Sequence, residues 1–400
     1  MPGVMEGIRV LEVATWVAVP SACAILADWG AEVIKVENPA GGDAVRGLTS
    51  IEGVEAGDAW FQLLNRGKKS VALNLRHERG REALYRLVER ADVFVTNLEL
   101  PLVERFQVGY ATLHAHNPRL IYGLLTGYGS QGPDRLLPGY DYTAFWARSG
   151  IMDRVSEPGR PPRPVRPGMG DNTTSLGIAA GLAAALFHRE RTGQGQEVHF
   201  SLYHTAVWAL GIDVQTVLAA GAALPQSERG KAANPLWNTY ETSDGRWVQL
   251  AMLQADRYWP RLCQAIERPE LAEDPRFASQ QARQQHCQEL VGIIGEAMAR
   301  HPLAEWERRL REHDLVGGRV QTVLDTATDP QAAANGFFVE VAQEGERRRL
   351  VNSPIRFQQA APRIRGLAPE LGQHTEEVLL ELGGYTWEEV AQLSAEGVLL

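Results

Sequence analysis

The sequence predicts an α/β protein: a large domain built on a parallel sheet, and a smaller α+β domain after it. Three observations carry the prediction. Strand-like and helix-like periods alternate through the first half of the chain, the pattern of a parallel sheet with helices on its faces. Four hundred residues are more than one ordinary core organises, so two domains are expected. Near Pro225 a hairpin signal and amphipathic helices replace the alternation.

Taken in order, Ile8–Ala14 ("IRVLEVA") is a buried strand and Ser21–Gly30 ("SACAILADWG") a helix closed by its glycine. Ala31–Glu37 is strand-like and Gly41–Asp43 a turn. Ser70–Leu75 is a strand, and Glu78–Ala91 an amphipathic helix with its charges outward. "DVFVTNL" and "LIYGLLTGYG" supply two more strands. In the second domain "WNTYETSDGRWVQLAM" is a hairpin turning at Asp244-Gly245, followed by helices around Tyr258–Ile266, Gln281–Arg300 and Leu303–Glu312. A strand-like "FFVEVAQ" and two short helices broken at Gly383-Gly384 close the chain. The bounds follow as 1–224 for the large domain and 225–335 for the small one, with 336–400 returning to the large domain.

A chain that is 44% hydrophobic and 22% charged is globular, and a net charge of −9 argues against nonspecific nucleic-acid binding. Cys23, Cys263 and Cys287 are scattered, odd in number and without CxxC spacing, which is the usage of reduced thiols in the cytoplasm. No basic stretch followed by an apolar core marks a signal peptide at the N-terminus, and the longest apolar run, Leu176–Phe187, is too short to span a membrane. Neither a membrane nor a nucleic acid is expected as a partner.

The stretch "RPGMGDNTTSLGIAAGLAAALF" sets one acid, Asp171, between glycines and a run of small apolar residues. Two readings stand open. Asp171 is a favoured helix N-cap, although Asn172, Thr173 and Thr174 cap as well. Alternatively it is a nucleophile, kept ionised by the helix dipole and approached across Gly168 and Gly170. The Ala/Gly run behind it is suited to close packing against a neighbour.

GxGxxG after the first strand, GxxxxGK[ST], HExxH and GxSxG are all absent, and no His/Cys cluster suggests a metal. What remains is a spread of basic and amide residues near predicted strand ends: Arg66, Lys68, Lys69, Arg76, Asn97 and Arg105. Beyond the carboxyl ends of parallel strands such residues converge on anions, and Arg76, Asn97 and Arg105 are placed for this.

Six segments in order resemble the class III CoA-transferases, the family of formyl-CoA transferase and the CaiB-like carnitine CoA-transferases. They are "GIRVLEVATWVAVPSACAILADWGAEVIKVENPAGGDAVR", "NRGKKSVALNLRHERGREAL", "ADVFVTNL", "LPGYDYTAFWARSG", "GDNTTSLGIAAGLAAALFHRERTGQGQEVHFSL" and "LGQHTEEVLLEL". The resemblance implies a large Rossmann-like domain with a smaller α+β domain, in an interlocked homodimer. It implies that Asp171 attacks an acyl-CoA thioester, giving a mixed anhydride and then an aspartyl-CoA thioester. The substrates are then an acyl-CoA and a carboxylic acid, with no metal and no tightly bound cofactor. CoA contacts carry over to Val17, Ala18, Leu73, Asn74, Leu75, Arg76, Asn97, Leu98, Arg105 and Tyr140. Asn38 and Pro138 stand where formyl-CoA transferase has Arg and Lys.

α-Methylacyl-CoA racemases resemble the chain too, but their base is a His in "GHD" where this chain has "GYD", and tyrosine is a poor base at neutral pH. Transfer is therefore the leading reading, with proton transfer and a non-catalytic CoA-binding protein as alternatives. For the acid substrate the candidates are Arg160, Arg163 and Arg166 as a carboxylate clamp, and Trp16, Phe145 and Trp146 as an acyl pocket.

Overall fold

Six parallel strands form the central sheet: β1 (Arg9–Val13), β2 (Glu32–Glu37), β3 (Lys69–Ala72), β4 (Val93–Thr96), β5 (Ile121–Thr126) and β6 (Gln196–Ser201). Their order is β3-β2-β1-β4-β5-β6, the doubly wound arrangement. This is a computed structural model, and it describes all residues except 1, 164–165, 227, 229, 231 and 344. Two units are distinguished: residues 1–153, 163–222 and 333–400 form the first, and 154–162 and 223–332 the second.

In the first unit the helices that bear on function are α1 (Ala18–Asp28), α2 (Glu78–Val88), α3 (Leu100–Arg105), α4 (Met169–Thr192), α5 (Leu202–Ala209) and α6 (Gly211–Ala220). On one face of the sheet, α1 packs against α4 in a core that includes Val19, Ala22, Ile25, Ile178, Leu182 and Leu186. The small residues expected to pack closely do so at Gly181, where an added Cβ would stand 2.6 Å from the Phe200 ring. On the other face, α2 meets two C-terminal helices, Thr375–Glu381 and Trp387–Ala395, through Leu84, Leu87, Leu379 and Leu393. The same tail covers edge strand β3: Thr375 Oγ1 accepts the Ala72 N–H at 3.0 Å and the Val398 carbonyl accepts the Asn74 N–H at 2.8 Å. An open edge is thereby protected from pairing with another chain.

The second unit has its own core, around Tyr240, Trp259, Phe277, Ile294 and Trp306. Its antiparallel sheet pairs Thr239–Glu241 and Gly317–Val320 with Trp247–Leu250. The expected hairpin turns at Gly245, whose φ of 71° suits glycine. Among the described residues, no helix is long and apolar enough to cross a membrane.

Candidate active site

Between β1 and β4 the strand order reverses, and such a switch point is where open α/β sheets bind ligands. A cavity of about 300 Å³ opens there. Thr15–Ala18 after β1, Asn97–Leu100 and Leu102 after β4, Leu125–Gly127 around the end of β5, and the stretch Arg135–Asp141 line it together with Asp171 and Leu202. The volume is at the small end of ligand sites. Gly127 closes the far wall: a Cβ there would stand 2.5 Å from the Gly139 Cα, so only glycine lets the two backbones meet.

The turn after β1 is strained and held from several sides. Trp16 has φ 67°, a left-handed conformation that is costly for a bulky residue. Asp43 Oδ1 accepts the Trp16 N–H at 3.1 Å, and Lys35 Nζ donates to the Ala14 carbonyl at 2.9 Å. Asn97 Oδ1 accepts the Thr15 N–H while its Nδ2 donates to the Thr15 carbonyl. Beneath them lies a fully buried ionic cluster, in which Lys35 meets Glu12 at 2.7 Å and Asp43 at 2.8 Å, and Lys68 meets Glu12 at 2.6 Å. Burial works to raise the Glu12 carboxyl, yet Lys35 and Lys68 carry it below its ordinary value. The fixed turn presents the Trp16 ring edge-on to Tyr140, with centroids 6.2 Å apart.

Asp171 is not the helix cap, and its surroundings differ from those the spacing suggested. The cap of α4 is Gly168, at φ 82°, and Asp171 is the third helical residue. The other capping types are diverted: Thr173 and Thr174 donate to the Met169 and Gly170 carbonyls, and Asn172 accepts from Ser21 Oγ at 3.0 Å. Nor does the helix end keep Asp171 readily ionised. Burial, and then the charge of Asp141, push its carboxyl up to about 7. The Gly168 N–H is taken instead by Asp141 Oδ2, at 2.8 Å, and the Trp146 Nε1–H donates to the same oxygen at 3.3 Å. Gly170 makes room for this acid, not for a substrate, because a Cβ there would stand 2.2 Å from Asp141 Oδ1 and 2.4 Å from the Phe145 ring.

Of the residues expected at the site, Val17, Ala18, Asn97, Leu98, Tyr140 and Asp171 share the cavity. Leu73 and Leu75 do not line it, being buried in the core beneath α2. Asn74 Oδ1 is turned to the Arg76 N–H at 3.1 Å, and Arg76 and Arg105 are exposed away from the cavity wall. Arg66 and Lys68 are internal ion-pair residues, bound to Asp28 and Glu12, which removes them as anion ligands. Asn38 sits exposed on the turn after β2, while Pro138 is part of the cavity wall.

The expected acyl pocket is corrected in part. Trp16 lines the cavity, but Phe145 and Trp146 are buried core residues, because the π-helical turn Asp141–Ala147 aims them at α4. Arg160, Arg163 and Arg166 are not among the residues that line the cavity, and Arg166 pairs with Glu52 at 2.6 Å. Residues 164–165 of that loop lie outside the described residues.

Sequence reasoning missed Arg135, which lines the cavity, and it missed Asp141. The second had a signal, since an acid follows Tyr140 directly in "GYDY". It missed the ionic cluster too, although Glu12 and Lys35 are charges inside apolar strands, which must be paired. Among the described residues, no group of three or more His, Cys, Asp or Glu is placed to hold a metal.

Comparison with known proteins agrees with this architecture. Residues 5–375 match the family model described as CoA-transferase family III. The chain is 38% identical to the (R)-2-hydroxy-4-methylpentanoate CoA-transferase of Clostridioides difficile, over 95% of each chain. It is 34% identical to the cinnamoyl-CoA:phenyllactate CoA-transferase of Clostridium sporogenes, over 98% of this chain and 96% of that one. The crystal structure of a CaiB/BaiF family protein from Brucella suis superposes with a TM-score of 0.84 at 30% identity, covering 96% of this chain and all of that one.

Proposed function

The chain belongs to CoA-transferase family III, and from that premise we propose that it moves CoA from an acyl-CoA thioester to a carboxylic acid through covalent intermediates on Asp171. The observation that carries the reading is a carboxyl raised to about 7, half-buried in a cavity at the switch point of the sheet. A carboxyl raised in this way by burial keeps a reactive, poorly solvated carboxylate when it ionises.

The ionised carboxylate attacks the thioester carbonyl and expels CoA thiolate, leaving a mixed anhydride. The thiolate attacks the aspartyl carbonyl, the bond to the substrate carboxylate breaks, and an aspartyl-CoA thioester remains. The acceptor carboxylate then attacks that thioester, and the two steps run in reverse to give the new acyl-CoA and free Asp171. The thioester supplies the activation, so the scheme calls for no metal and no tightly bound cofactor.

For CoA, we assign the reactive end to the wall formed by Val17, Ala18, Asn97, Leu98 and Tyr140. Arg76 and Arg105, exposed and unpaired among the described residues, are assigned to its phosphates. Leu73, Asn74 and Leu75 contribute through the strand end alone. The relatives named above act on 2-hydroxy-4-methylpentanoate and on cinnamoyl-CoA with phenyllactate. An aromatic and aliphatic wall of Trp16, Tyr140, Leu125, Leu136 and Leu137 suits such an acid, one with a branched or aromatic tail. Transfer from a panel of acyl-CoAs to branched, aromatic and dicarboxylic acids tests this. Turnover confined to small or dicarboxylic acids would contradict it.

The partner we propose is a second copy of the chain, in the cytoplasm. Helix α6 buries no residue, and Trp208 and Ile212 are 82% and 85% exposed. On α4, Leu176, Gly177, Ala180, Ala184 and Phe187 form a further exposed stripe. Apolar surface of this extent is uncommon on a monomer.

A further inference from the structure

Asp141 has no part in the chemistry above, yet it is buried against the helix that carries Asp171. Its carboxylate sits where the first turn of α4 exposes unpaired N–H groups. Oδ2 accepts the Gly168 N–H at 2.8 Å and the Trp146 indole N–H at 3.3 Å. Oδ1 is buried against Gly170 with no hydrogen bond of ordinary geometry among the described residues, and the Gly170 and Asp171 N–H groups face the carboxylate. Burial raises the Asp141 carboxyl above its ordinary value, and these donors oppose that rise. The fold spends two features on this placement. Gly168 adopts a left-handed cap that leaves its N–H free for an outside acceptor, and Gly170 omits the Cβ that would displace the acid.

We propose that Asp141 is a positioning residue that tunes Asp171: it occupies the end of helix α4 and holds a second negative charge beside the cavity, so that the Asp171 carboxylate is left without the donors a helix N-terminus would give it. This rests on Asp171 being the nucleophile. An acid at the third position of a helix is ordinarily stabilised by the dipole and the free N–H groups. Here an acid from another element has taken that place. Burial and the Asp141 charge then act on Asp171 unopposed. The other ionisable groups lining the cavity are Glu99, Arg135 and Tyr140.

The consequence reaches the partitioning of the mixed anhydride. In the mixed anhydride, thiolate attack on the aspartyl carbonyl breaks the bond to the substrate carboxylate, and attack on the substrate carbonyl breaks the bond to Asp171. The weaker base leaves more readily. Ordinary carboxylic acids ionise near 4 to 5, so the substrate departs in preference to an Asp171 of higher basicity. Donor and acceptor anhydrides alike therefore partition toward aspartyl-CoA, which makes it the intermediate that accumulates and favours neither direction of transfer.

The test uses the full chain labelled with 13C at the aspartate carboxyls. In the wild type one signal should titrate near 7 and be missing from Asp171→Asn. In Asp141→Asn that titration should fall by about one pH unit or more, with the acid limb of the CoA-transfer rate moving alongside it. An unmoved titration in folded Asp141→Asn would overturn the proposal. So would a wild-type Asp171 titrating near 4, which decides the matter even if the variant does not fold. Covalent trapping of Asp171 is scored separately. Trapping without a moved titration refutes the role of Asp141 alone, and a moved titration without trapping refutes the nucleophile alone.

Discussion

Asn97 grips Thr15 by both of its backbone groups: Oδ1 accepts the Thr15 N–H at 3.1 Å, and Nδ2 donates to the Thr15 carbonyl at 2.7 Å. The amide that the sequence marks as a ligand contact is thus engaged in holding the turn between β1 and α1. Asn97→Ala should release that turn, costing about 1–3 kcal/mol through the two unpaired backbone groups. Because Thr15 to Ala18 line the cavity, KM for acyl-CoA should rise several-fold while Asp171 remains able to react. Steady-state kinetics beside urea denaturation separates the two effects.

Lys35 supports the same turn from below. Lys35→Met should leave Glu12 with Lys68 alone and Asp43 without its cation, all in a fully buried setting. Removing one partner from such a cluster costs on the order of 3–5 kcal/mol. Chemical denaturation at pH 7 reads the loss. A change below 1 kcal/mol would mean that the cluster is hydrated in solution.

Trp16 carries backbone strain and lines the cavity. Trp16→Gly should relieve the left-handed strain, which is worth about 1–3 kcal/mol, against which the extra flexibility of glycine counts for up to about 1 kcal/mol. It should also erase discrimination between branched or aromatic acids and small ones. The check is the ratio of kcat/KM for two acids of different size.

Asp171 makes stability depend on pH. The folded chain holds this proton to higher pH than the unfolded chain does, so ionising it opposes folding. The cost is absent below about pH 4 and complete above about pH 7, reaching at most about 4 kcal/mol. Asp171→Asn should therefore be inactive yet more stable than the wild type at pH 8, with the difference vanishing toward pH 4. Thermal melts across that range measure it.

Trp208→Glu with Ile212→Glu should convert a dimer to a monomer, read by light scattering. If the wild type is itself monomeric, the exposed faces of α4, α5 and α6 have another occupant.

How much of this was legible in advance varies by the range of the interaction. The β1, β2, β4 and β5 strands and the Asp244-Gly245 hairpin follow from local period and turn chemistry, so they could be read directly. The sixth strand, Gln196–Ser201, has no marked apolar run, and it forms because β5 offers it an edge. Asp171 was legible as a candidate from its glycine setting, but its environment was not. Gly168 took the cap through a left-handed φ, and Asp141, 27 residues upstream of Gly168, took the N–H that the cap left. The same limit explains Leu73 and Leu75, whose motif is local but whose burial comes from the C-terminal tail.

An Asp171 that serves as the nucleophile becomes covalently acylated during turnover. Incubating the enzyme with an acyl-CoA donor and hydroxylamine, followed by peptide mass mapping, tests it most directly. A hydroxamate should form on Asp171, only in the presence of donor and more readily above pH 7 than below it. An unmodified Asp171 under turnover conditions, or an Asp171→Asn enzyme that still transfers CoA, would contradict it.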